Sequence, residues 1–169
     1  MSLRENVSDL ASTVEALVSG GGDPTTKLDR SVDAIARAFD ARTATLHRTD
    51  PSGSFLHLVV SHGLPEHVIA LTRRIPVGKG MAGLCAQRRE PVTVCNIQTD
   101  DSGTARPGAR ETGVAGAIVV PVFDKDRETL LGTLGIGMSG EHEYTDEEVR
   151  LLDACSRALA SAVREYSVS

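Results

Sequence analysis

The sequence predicts an α+β domain, an antiparallel sheet of five to six strands with its terminal helices gathered on one face. Three observations predict it. Apolar residues keep a three-four rhythm at both ends of the chain. Short runs rich in Val, Ile and Leu, bounded by turn residues, fill the middle. At 169 residues, 40% hydrophobic and 24% charged, the chain suits one domain with a real core rather than a disordered segment.

The N-terminal stretch places Leu3, Val7, Leu10, Val14 and Leu17 at spacings of four and three, a heptad-like seam on a helix ended by Gly20-Gly21-Gly22. Asp23 before Pro24 opens a second amphipathic helix reaching about Phe39, apolar along Leu28, Val32, Ile35, Ala36 and Phe39. TATLHR (43–48) and FLHLVVS (55–61) read as strands joined by Asp50-Pro51-Ser52-Gly53, a hairpin. A short helix is expected at 65–71, followed by a strand at RRIPV. A helix over MAGLCAQRR and a strand over PVTVCNI come next. Residues 98–113 carry three Gly and one Pro and read as a long polar loop holding one helical turn. Loops of that length in compact domains are often functional.

AGAIVVPVF (115–123) and LLGTLGIGM (130–138) read as neighbouring antiparallel central strands. Gly132, Gly135 and Gly137 leave one face of the second nearly bare, so something approaches it closely. A packed helix is the expected neighbour and a ligand the alternative. The last helix has the strongest local signal. Thr145 and Glu148 make a capping box, and Asp146, Glu147 and Glu148 sit where the helix dipole favours carboxylates. It runs to about Tyr166 on Val149, Leu152, Leu159, Val163 and Tyr166.

The stretches IPVGKGMAGLCAQRREPVTVCNIQTD, GVAGAIVVPVF, LLGTLGIGM and EYTDEEVRLLDACSRALASAV, in this element order, resemble the GAF family. The resemblance implies a GAF-like, PAS-related fold over residues 23–166, with residues 1–22 a signalling and dimerisation helix. It also implies a pocket on the sheet face opposite the terminal helices, covered by the 79–113 region. Its functional implication is a small-molecule-sensing regulatory module of a signal-transduction protein, not an enzyme. A dimerisation or docking module with a vestigial pocket is the alternative, and a methionine sulfoxide reductase-like redox enzyme a weaker one.

Specialised branches of the family are tested residue by residue. Free methionine sulfoxide reductases of this fold use cysteines where this chain has Thr72, Ala82 and Arg110, and such chemistry needs a thiolate. Haem-binding members carry an axial His before the VVPV-like strand, but no His occurs here between His67 and His142. Bilin attachment through a Cys-His pair is disfavoured because Ala86 follows Cys85 and Asn96 follows Cys95. The dispersed signature of cyclic-nucleotide binders is missing. Gly78-Lys79-Gly80-Met81-Ala82-Gly83 spells a dinucleotide fingerprint, yet outside a βαβ frame it reads as a tight turn feeding a helix. No cofactor is therefore expected.

Candidate ligand-facing residues are Lys79, at a helix start, with Arg106, Arg110, Glu111 and Thr112 in the long loop. A small polar or anionic metabolite under Arg106 and Arg110 is the expected ligand. The five histidines lack i, i+4 partners, so no metal site is expected. Cys85, Cys95 and Cys155 show no zinc spacing and read as reduced, structural thiols. A net charge of −5 without a basic patch, with no Trp and only two Tyr, argues against a nucleic-acid surface. No apolar run approaches the roughly 20 residues of a membrane span, and the first residues lack a basic-then-apolar leader pattern, so a cytoplasmic location is expected. The N-terminal stripe, with Leu159 and Val163 of the last helix, is expected to pair two copies as a homodimer.

Overall fold

The computed structural model describes the backbone of residues 3–168 and the side chains of residues 9–168. Its helices are α1 (Leu3–Ser19), α2 (Pro24–Phe39), α3 (Glu66–Thr72), α4 (Gly80–Arg88) and α5 (Asp146–Glu165). The strands are β1 (Thr43–Thr49), β2 (Phe55–His62), β3 (Arg74–Pro76), β4 (Val92–Val94), β5 (Ala117–Phe123) and β6 (Leu130–Gly137). One antiparallel sheet runs in the order β3-β2-β1-β6-β5-β4. The α+β architecture of the sequence is therefore the architecture of the chain, with β1 and β6 at its centre.

Local chemistry explains where the elements begin. Asp23 caps α2 by accepting from the Thr26 amide at 3.0 Å, ahead of a proline whose missing N–H costs nothing in a first turn. Thr145 and Glu148 form the reciprocal capping box at α5. The 98–113 loop condenses into a 3₁₀ helix at Pro107–Thr112. The Gly-rich stretch before α4 is a tight turn. The Gly78 amide donates to the Gly83 carbonyl at 2.8 Å, Gly78 and Gly80 hold φ of 95° and 66°, and a Cβ on Gly83 would stand 2.5 Å from the Pro76 carbonyl oxygen.

Period-two alternation divides the sheet. Ala44 and Leu46 of β1, Ile118, Val120 and Val122 of β5, and Leu134 and Ile136 of β6 enter one core with α1, α2 and α5. Thr43, Thr45 and His47, interleaved with them on β1, line the opposite face. That face is covered by α3, α4 and the 3₁₀ helix.

The terminal helices correct one expectation. Leu159 and Val163 are fully buried against the chain's own core, so neither is available to a second copy. Leu10 and Val14 are buried in the same core, joined by Val18 rather than by Leu17, which is half-buried. Leu10, Val14 and Val18 thus turn inward, where α1 packs along α2 and α5 in the helical layer. The side chains of Leu3 and Val7 lie outside the described residues.

Leu159→Ala should therefore cost the folded monomer about 2–5 kcal/mol, the range for emptying a packed leucine site. Urea unfolding at equilibrium measures it. A loss far below that range would mean that Leu159 does not serve the core.

Candidate functional site

The covered sheet face holds a half-open cavity of about 290 Å³. Its position, opposite the terminal helices and under the 79–113 region, is the one the resemblance implies. The floor comes from β1, β5 and β6, and the roof from α3, the start of α4 and the 3₁₀ helix.

Gly135 and Gly137 of β6 form part of this floor with α4 packed beside them, so both a helix and a cavity meet the bare face. Gly132 is not among the cavity residues. Thr45 pairs with Gly135 and Thr43 with Gly137 across the β1–β6 ladder. A Cβ on Gly135 would stand 3.2 Å from Thr45 Oγ1 and 3.2 Å from Val119 Cγ2. A Cβ on Gly137 would stand 2.5 Å from Val114 Cγ1 and 2.7 Å from Thr43 Oγ1. Neighbouring side chains lean over the bare backbone, and the space above it is the cavity. The α1–α2–α5 layer packs on the other face, against Leu134 and Ile136. Helix α4 also lies against β6 and closes part of this side.

The lining is mainly apolar: Leu64, Val68, Ile75, Met81, Val114 and Val119 are typical. Its deepest polar group is His47, only 2% exposed. Nε2 lies 2.9 Å from the Thr72 carbonyl oxygen, and since a carbonyl only accepts, Nε2 carries the proton and donates. Burial pushes the imidazole down to about 4, so the ring is neutral at pH 7. The Thr43 and Thr45 hydroxyls make no hydrogen bond among the described residues, whereas Thr112 donates to the Ala109 carbonyl at 2.6 Å and accepts from the Val114 amide.

Sequence reasoning missed His47, treating it as isolated. The signal was present in TATLHR, where Thr43, Thr45 and His47 alternate with Ala44 and Leu46.

The five candidate residues separate. Lys79, Arg106 and Thr112 line the cavity. Arg106 lies across the start of α4, its Cγ and Cδ 2.9 and 3.0 Å from where a Cβ on Gly80 would sit. Among the described residues no carboxylate lies within ion-pairing distance of Lys79 or Arg106. Arg110 and Glu111 do not reach the cavity. Arg110 lines an outer cleft of about 540 Å³ that shares Lys79 and Arg106 with the cavity rim. Its Nη2 donates to the Asp100 carbonyl at 3.0 Å. Glu111 stands 3.6 Å from His67 of α3 on the exposed outer side of the roof.

Cys85 and Cys155 are fully buried, and burial pushes both thiols up to about 12, Glu90 adding to the effect at Cys85. Cys95 is exposed, and all three are free. Thr72 and Ala82, two positions where the reductases carry cysteines, line the cavity, while Arg110 stands outside it. Among the described residues no cluster of three His, Cys, Asp or Glu side chains could hold a metal ion.

A six-stranded antiparallel sheet with a helical layer on one face and a roofed cavity on the other defines a pocket-bearing α+β fold. The chain belongs to the GAF domain family, whose family model matches residues 22–164. Solved structures agree on the fold. The GAF domain of a phosphoenolpyruvate-protein phosphotransferase from Coxiella burnetii is 21% identical, with a TM-score of 0.78 over 95% of this chain and 94% of that one. A protein described as a GAF sensor from Burkholderia vietnamiensis is 22% identical, with a TM-score of 0.80 over 97% and 99% of the two chains. Free methionine-R-sulfoxide reductase from Neisseria meningitidis, in complex with its substrate, is 18% identical, with a TM-score of 0.78 over 94% and 89%. A comparison with curated protein sequences finds no match.

Two measurements check this site. The unfolded chain takes up a proton on His47 near pH 6.5 and the folded chain only near pH 4, so folding weakens as pH falls through that window. Wild type should lose about 3 kcal/mol more than His47→Gln between those limits, in paired urea titrations. Native protein treated with a thiol alkylator should modify Cys95 alone, with Cys85 and Cys155 reacting only after unfolding. Modification of Cys85 in the native state would contradict its burial.

Proposed function

We propose that the chain is a cytoplasmic, non-enzymatic regulatory module in which a small molecule held in the cavity alters the packing of α1 and α5. The observation that carries this reading is the roofed cavity whose floor, β1 and β6, is also the surface on which the helical layer packs. Residues alternate across that floor. Thr43 and Thr45 face the cavity while Ala44 and Leu46 between them face the helices, so a shift of β1 on ligand binding reaches both layers. Membership of the GAF family, together with the likeness to a structure described as a GAF sensor, supports the same reading.

The redox alternative gains little from the site, because the buried thiols are poor nucleophiles and Cys95 is not among the cavity residues. A homodimer through the terminal helices belongs to the reading too, with its contacts on the outer side of α1 rather than at Leu159 or Val163. Sedimentation equilibrium tests that part, and a monomer at micromolar concentrations would remove it.

A thermal-shift screen against a metabolite panel tests the module itself, since a ligand that binds only the folded state raises its stability by mass action. At about 100 times its dissociation constant a true ligand adds about 2.7 kcal/mol. Ala117→Leu, which fills the cavity from its floor, should remove that shift while the protein still unfolds cooperatively. A silent panel, or a shift that survives Ala117→Leu, would reject the reading.

A further inference from the structure

The walls of the cavity say more about its ligand than the candidate residues did. Leu64, Val68, Ile75, Met81 and Val119 offer no partner to a polar body, and a bare anion would leave most of the volume unfilled. The volume of about 290 Å³ equals about ten waters at ~30 Å³ each. It lies near the small end for ligand sites.

Charge is confined to one end. Lys79 and Arg106 stand at the rim, shared between the cavity and the outer cleft, with no carboxylate partner among the described residues. Asp100 and Asp101 line the outer cleft together with this pair of cations but are not among the cavity residues. Deep groups are neutral: the His47 ring and the hydroxyls of Thr43 and Thr45. A second charge placed there would be desolvated without a counter-charge.

We propose that the cavity takes an amphiphilic organic monoanion of about ten non-hydrogen atoms in all, an apolar body ending in one carboxylate. The carboxylate sits at Lys79 and Arg106, and the body lies between the Gly135–Gly137 floor and Val68 of the roof. This rests on the reading of the cavity as a ligand site. It replaces the expected polar metabolite under Arg106 and Arg110 with a mostly apolar molecule held at one end.

Four probes test it by isothermal titration on the full chain at neutral pH: octanoate, 1-octanol, the dicarboxylate suberate, and acetate. Octanoate should bind about tenfold tighter than octanol and suberate, the gain of one charge-assisted contact at the rim. Acetate should give no heat. Shortening octanoate should weaken binding about fourfold per methylene removed. The Lys79→Gln, Arg106→Gln double variant should bring octanoate down to the affinity of octanol and leave octanol unchanged, which also reports that the variant is folded. Acetate matching octanoate, octanol matching octanoate, or suberate exceeding it would each overturn the proposal. If none of the four binds while a panel metabolite does, and Ala117→Leu abolishes that binding, this inference fails and the regulatory reading stands. If the panel is silent as well, both fall.

Discussion

The pairing of β1 with β6 is the constraint on which the rest depends. It joins a strand that follows α2 to one that precedes α5, so the two ends of the chain meet through a ladder of high sequence separation. Its register sets Thr45 opposite Gly135 and Thr43 opposite Gly137. A slip of one residue would turn Ala44 and Leu46 toward the cavity and send threonines into the helical core. Both faces of the molecule are therefore specified by one set of backbone hydrogen bonds.

Cavity and core follow from that ladder in opposite ways. On the helical side Leu134 and Ile136 fill the space between sheet and helices. On the other side the glycines between and after them withhold side chains, and the roof spans the gap rather than filling it. Side chains withheld from this face give up the contacts that a packed core would make there.

Much of the fold was legible because its signals are local. The Thr145–Glu148 box, the Asp23 cap and the turn at Asp50–Gly53 each depend on residues a few positions apart, and each appears where the sequence put it. The helical layer was less legible. A stripe such as Leu10–Val14 has the same spacing whether it meets another copy or its own α5, so periodicity cannot name the neighbour. The site divides in the same way. Arg106 and Arg110 are four residues apart on a short 3₁₀ turn and its cap, and only the path of the loop decides that one reaches the cavity and the other caps the Asp100 carbonyl. His47 was readable from alternation alone, but only once its strand was known to have one face on a cavity.

The two outer strands carry a consequence of their own. β3 and β4 are three residues each, β3 ends in Pro76, and Pro91 immediately precedes β4. Short, proline-marked borders offer few free amides to an incoming strand. Strand addition onto β3 and β4 themselves is therefore disfavoured. An outside strand meeting the sheet at either border finds only three residues of ladder with a proline at one end, a built-in check on templated growth at those two positions.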